Sequence, residues 1–249
     1  MNGRYRAAPP LAARGERVGS SDEVTGVQAL ERAHPGLPSV PGKVERREFA
    51  YVRHGTRTCI LSRDVATGQV VAPSVGPTRT EADALAHSQG VVASDPAAPR
   101  WPFVVDNLNT HQSEALVRDV AARDGGPGVL GVQGTTGVLA RQPSRAAFLR
   151  DPSHIIVFHD TPKHSSWLNQ SAIWRSILTR TLLKRGSFTS GEDVQAKVLA
   201  FVDTTIKRWP SPSSGPIRAK PLSPKPGGGH FLTGRDCCRL PPQRGSSPR

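Results

Sequence analysis

From about residue 57 to residue 205 the chain alternates short continuous apolar runs with stretches of helical period. Cys59-Ile60-Leu61 leads into the turn Asp64-Val65-Ala66-Thr67-Gly68, and Val70-Val71 returns, which predicts a hairpin over 57–73. Thr80, with Asp83 three residues on, has the form of a capping box and predicts a short helix through Leu85. Phe103-Val104-Val105 and Ile155-Ile156-Val157-Phe158 are uninterrupted apolar runs, as expected of buried strands. Between them, Ser113 is placed to cap a helix whose apolar face includes Leu116 and Val120, and the Gly-rich stretch 124–145 predicts a loop. Over 168–185, Leu168, Ala172, Ile173, Ile177, Leu178 and Leu182 recur at helical spacing. Thr189 and Glu192 repeat the capping-box form ahead of a helix carrying Val194, Val198, Leu199 and Val202 on one face. Strands first, then strand and helix in alternation, predict an α/β domain with one central mixed sheet flanked by helices.

The pattern fails at both ends. Residues 1–21 are rich in Gly, Arg, Pro and Ala without periodicity, which predicts a poorly ordered leader. Residues 206–249 predict a disordered basic tail: nine Pro and six Gly fall in 207–249, too few apolar groups to offset ordering entropy. The folded domain is expected over 22–205. Net charge is +13, which suits a polyanionic partner, but +8 of it lies in 207–249. A basic tail is equally at home as a solvated appendage, so bulk charge argues less strongly for nucleic acid than the total suggests. Three cysteines, Cys59, Cys237 and Cys238, exclude a disulfide framework. No apolar run has signal-peptide or membrane-spanning length, so no membrane role and a cytoplasmic location are expected.

Candidate chemistry lies in three segments. Asp106 follows Phe103-Val104-Val105 and precedes Asn107-Leu108-Asn109-Thr110-His111. A carboxylate at a strand end is held rigidly and suits a hard cation such as Mg²⁺; the same Asp could instead cap its own turn. Asp22-Glu23 follows Val18-Gly19-Ser20-Ser21, a poor strand by pattern, and Asp22 taken alone reads as an exposed loop acid. The run His159 to Gln170 combines a strand exit, a proline-stiffened turn, Lys163, His164 and Trp167, a mixture suited to phosphate contact or to ordinary packing. His159 and His164 have no further partner at zinc-ligand spacing.

Taken together, Asp22 to Arg32, Tyr51 to Thr56, Asp64 to Gly68, Val105 to His111, Thr161 to Gln170 and Lys184 to Ser190 resemble the mariner-like insertion-sequence transposases of bacteria, a DDE superfamily with a ribonuclease H-like fold. The likeness covers about residues 22–205. It implies cut-and-paste DNA transposition, in which three carboxylates hold two Mg²⁺ or Mn²⁺ ions for cleavage and strand transfer. By motif, Asp22 and Asp106 would be catalytic and metal-binding. Asn107 and His111 would support or position them, and Lys163, His164, Arg175, Lys184 and Arg185 would contact DNA. Transposon ends and target DNA would be the partners, with a homodimer and a bacterial, nucleoid-associated location in prospect.

The likeness also exposes departures. The third acid belongs two residues after Asn169-Gln170, where this chain has Ala172, and a methyl group cannot ligate a metal. Asn169 or Ser171 could offer only a neutral oxygen. Val24 and Asp160 are unusual for the family, its N-terminal helix-turn-helix region is missing, and its characteristic ending is not reproduced after Asp203. The resemblance therefore implies a degenerate copy with impaired catalysis; a non-catalytic DNA-binding remnant is the alternative.

Overall fold

The computed structural model describes residues 2–106, 109–126, 128–162 and 169–208. Five strands form one sheet in the order β3-β2-β1-β4-β5: β1 is Gly19–Arg32, β2 Tyr51–Asp64, β3 Val70–Gly76, β4 Trp101–Val105 and β5 Ile156–Asp160. β1, β2 and β3 are antiparallel to one another, whereas β4 runs parallel to β1 and β5 parallel to β4. Among the described residues six α-helices accompany the sheet: α1 Asn2–Ala12, α2 Glu81–Ala93, α3 Glu114–Arg123, α4 Gln142–Leu149, α5 Ser171–Leu178 and α6 Gly191–Arg208. This is an α/β arrangement with one central mixed sheet flanked by helices.

Local chemistry explains the elements. Asp64 Oδ1 accepts from the amide of Ala66 at 2.8 Å, and the Gly68 amide closes the turn on the Asp64 carbonyl at 2.8 Å, so the β2–β3 hairpin forms where Gly68 supplies a φ of 75°. Thr80 and Asp83 make the reciprocal capping box, and Ser113 caps α3 through the Leu116 amide. Thr189 and Glu192 do not cap α6. Ser190 caps the helix instead, accepting from the Asp193 amide at 3.1 Å, and the Asp193 carboxylate accepts from the Thr189 amide at 3.1 Å, one residue before the cap.

Burial divides between the two faces. On one, Trp101, Phe103, Val105, Ile156 and Phe158 pack against Val91, Leu116, Val117, Val120 and Leu149 of α2, α3 and α4. On the other, Val27, Ala29, Cys59, Leu61 and Val70 meet Trp174 and Leu178 of α5 and Val194, Val198 and Val202 of α6.

Several expectations shift. The leader placed over 1–21 contains α1, and β1 already begins at Gly19. α2 continues to Ala93 rather than stopping near Leu85, and α4 begins inside the stretch read as a loop. The buried stripe of α5 is Ser171, Trp174 and Leu178, while Ile173 is exposed. Beyond Leu178 the helix widens into a π turn, Thr179–Leu183. α6 runs to Arg208, past the expected boundary at 205; the rest of the proposed tail lies outside the described residues.

Candidate active site

β1 becomes a strand despite its poor pattern because its polar side chains are satisfied where they are buried. Ser20 Oγ donates to Asn169 Oδ1, and the Ser171 amide donates to Ser20 Oγ at 3.3 Å. Asn169 Nδ2 donates to the Ser21 carbonyl at 2.6 Å, and Ser171 Oγ donates to Asn169 Oδ1 at 2.7 Å. On the opposite face Ser21 Oγ bonds Ser62 Oγ, which in turn lies 2.7 Å from His87 Nε2. A buried hydroxyl with a partner avoids the desolvation cost that makes such a sequence look like a loop. Sequence reasoning missed Ser20; the signal was the pair of serines directly before Asp22.

These bonds seat the start of α5 over β1, next to Asp22. They also engage Asn169 and Ser171 in hydrogen bonds to β1 and to each other. Tyr5 of α1 adds to the seat, accepting from the Gln170 amide at 3.4 Å.

The parallel pairing Gly19↔Phe103 and Ser20↔Val104 carries Asp22 and Asp106 to the same level two residues later. Adjacent strands are about 4.8 Å apart and side chains repeat every two residues, so both acids follow Ser20 and Val104 toward the α5 side. Asp22 is therefore a strand residue with a 14% exposed side chain, not a loop acid. Burial raises its carboxyl above the usual range; Arg175, with Nη1 at 3.8 Å from Oδ2, opposes this, and the nearby Asp106 reinforces it. Asp106 lies just past β4, with His111 Nε2 at 3.3 Å from its Oδ1. His111 is in the 3₁₀ turn Asn109–Gln112, and Ser113 follows as the α3 cap.

Ala172 lies in the first turn of α5, three residues before Arg175. The position assigned to the third acid thus carries a methyl group beside the carboxylates, and the next turn supplies a guanidinium. Asp160 does not substitute for it. That residue pairs with Val105 and lies on the other face, where Arg150 Nε donates to it at 3.0 Å and Gln112 Nε2 at 3.1 Å.

Asp22, Asp106, His111 and Arg175 are brought together. Lys184 and Arg185 are exposed beyond the π turn, roughly 18 Å along the helix from Ala172 at 1.5 Å per residue. Asn107, Lys163 and His164 lie outside the described residues.

Asp106 Oδ1 is buried and makes no hydrogen bond among the described residues, and Asp22 presents a second carboxylate at the same level. Two anionic oxygen donors fit one hard cation. Among the described residues no group of three His, Cys, Asp or Glu is arranged to hold a metal ion.

Two acids thus stand at the point where the antiparallel and parallel halves of the mixed sheet meet, a sheet edge suited to holding a ligand. The sequence model of the DDE superfamily endonuclease family matches residues 17–195, and the chain belongs to that family. Among solved structures it is similar to a pre-cleavage Mos1 transpososome, with a TM-score of 0.43 and 13% identity over 84% of this chain and 60% of that one. It is also similar to the Mos1 mariner paired end complex with Mn (TM-score 0.30, 14% identity, 83% of this chain and 59% of that one). A third is the mariner Mos1 paired end complex with Mg (TM-score 0.27, 15% identity, 80% and 61%). The chain thus spans about 60% of the length of these relatives. No curated protein matches it. Among the described residues, no helix is long and apolar enough to cross a membrane.

Proposed function

We propose that this chain is the catalytic domain of a DNA transposase that keeps two of its three metal-binding carboxylates and is therefore impaired in strand cleavage and strand transfer. One observation carries the reading: Asp22 on β1 and Asp106 just past the end of the parallel neighbour β4 come level near the start of α5, whose first turn carries Ala172. Asp22 and Asp106 would hold one Mg²⁺ or Mn²⁺, which when bound polarises a phosphodiester oxygen and lowers the pKa of water. His111 would hold Asp106 in place. Arg175 puts a fixed positive charge on the same side, and with Lys184, Arg185, Lys163 and His164 it would contact DNA phosphates. Without a third carboxylate no second ion would be held to stabilise the leaving oxygen. The expected behaviour is salt-sensitive DNA binding with little cutting, at transposon ends or elsewhere, by a chain that works as a dimer in a bacterial cytoplasm.

The test is Mn²⁺-dependent nicking of supercoiled plasmid by the parent chain, Ala172→Glu and Ala172→Glu/Asp106→Ala. Restoring the acid is expected to raise the nicking rate at least about 100-fold, the range seen when a positioned electrostatic group is removed, and the Asp106 change is expected to abolish the gain. Robust cutting by the parent, lost in Asp106→Ala, would overturn the impairment. An inert Ala172→Glu chain that binds Mn²⁺ and DNA normally would overturn the assignment of position 172.

A further inference from the structure

Behind Asp106, on the face of β1 away from Asp22, lies a second carboxylate that the two-acid site does not use. The Glu23 side chain is only 1% exposed, although it neighbours Asp22 in sequence. Burying a carboxylate is costly unless it is paired and hydrogen-bonded. Here Arg79 Nε lies 3.3 Å from Oε2, and Thr110 Oγ1 donates to Oε1 at 3.2 Å. His111 Nε2 lies 4.0 Å from that same Oε1 and 3.3 Å from Asp106 Oδ1. The His111 side chain is itself 6% exposed. Glu23 Oε2, His111 Nε2 and Asp106 Oδ1 are all buried and make no hydrogen bond among the described residues. One imidazole nitrogen thus faces two carboxylates, and the farther carboxylate is anchored from behind by an arginine and a threonine.

We infer that Glu23, held by Arg79 and Thr110, is a positioning residue that keeps His111 Nε2–H turned toward Asp106. The chain of contact runs from the rim inward: Arg79, Glu23, His111, Asp106. Without Glu23 the ring has one carboxylate to face instead of two, and its Nε2 is no longer held toward Asp106 Oδ1 from the far side. Outer partners of this kind change metal affinity by about 10- to 100-fold when removed. The inference rests on Asp106 being a metal ligand, as proposed above, but its first link, Glu23 to His111, can be read without metal.

The experiment uses the full 249-residue chain, with Mn²⁺ affinity read from the electron paramagnetic resonance of free Mn²⁺ and the His111 ring read by ¹⁵N NMR. Glu23→Gln is expected to weaken Mn²⁺ about tenfold, and His111→Gln by a similar factor. The double variant is expected to be no weaker than either single one, because the two residues act in series. Without metal, Glu23→Gln is expected to change the tautomer and shift of the His111 ring. Losses that multiply in the double variant would mean Glu23 acts only through its charge, and would overturn the inference. An unchanged His111 ring would overturn it as well, whether or not metal binds. If instead Asp106→Asn leaves Mn²⁺ affinity at the parent value, the two-carboxylate reading falls on its own account. Should Glu23→Gln lose its cooperative thermal transition, Arg79→Gln touches the same carboxylate from the exposed rim. It is expected to give a smaller loss in the same direction, and no effect on either readout would overturn the inference.

Discussion

His87 makes the fold's stability depend on pH in a way that can be worked out in advance. It is buried on α2, with Nε2 2.7 Å from Ser62 Oγ and Nδ1 2.8 Å from Ser74 Oγ. Both ring nitrogens face hydroxyls, so no carboxylate compensates a positive charge. Burial, with some help from the nearby His111, lowers its pKa from 6.5 to about 4. The unfolded chain therefore takes up this proton first. Stability from neutral His87 is complete above pH 6.5, declines as pH falls, and stops declining below about pH 4. Linkage over that window gives about 2 kcal/mol lost by pH 5 and about 3 kcal/mol at the acid limit. The assay is urea unfolding followed by fluorescence at pH 7.5 and pH 5.0, for the parent and His87→Gln. Glutamine can still bond both serines but does not titrate. The parent is expected to lose about 2 kcal/mol more than the variant between the two pH values. Equal losses would refute the claim that His87 is held neutral, whatever the substitution costs at either pH.

Three further outcomes follow from particular contacts. Arg175→Ala removes the cation beside Asp22, and Mn²⁺ affinity measured by titration is expected to rise about three- to tenfold, consistent with roughly 1 kcal/mol from a half-exposed charge pair; unchanged or weaker binding would contradict it. A Cβ at Gly19 would meet Phe103 ring carbons at 2.8 and 2.9 Å, so Gly19→Val is expected to cost about 1–3 kcal/mol in urea unfolding. Cys59 is fully buried and its thiol is pushed up to about 11; site-resolved mass spectrometry at pH 8 should find it alkylated far more slowly in the folded chain than in urea.

The elements legible in the sequence are those whose side chains follow a simple rule. Phe103-Val104-Val105 and Ile156-Val157-Phe158 are buried strands written in apolar letters, and Thr80 and Ser113 announce their helices. β1 was hidden because Ser20 and Ser21 are buried polar groups whose partners, Asn169 and Ser62, are distant in sequence. The pairing of Asp22 with Asp106 was reached through a motif likeness, since no periodicity could show that β1 and β4 are neighbours. Glu23 escaped for a related reason: a buried acid next to a candidate ligand looks like a solvated pair until the tertiary contacts from Arg79 and Thr110 appear. The α5 stripe was misjudged at Ile173 because one turn carries two candidate faces, and the large ring of Trp174 against Phe201, 5.7 Å between centroids, decides between them.

Among the described residues, β1 and β4 are joined through two residue pairs, Gly19↔Phe103 and Ser20↔Val104, with the Arg17 amide bonding the Arg100 carbonyl just before them. α5 and α6 pack on the antiparallel half and α3 and α4 on the parallel half, while α2 bridges the two: its His87 bonds Ser62 and Ser74, and its Val91 lies in the core with Trp101 and Phe103. The two aspartates stand just past this narrow join, like the tips of shears just beyond the rivet. A small shift at this join would alter the gap between the tips. Substitutions that loosen the rivet, far from any charge, should therefore register first as a change in how the carboxylates grip a cation.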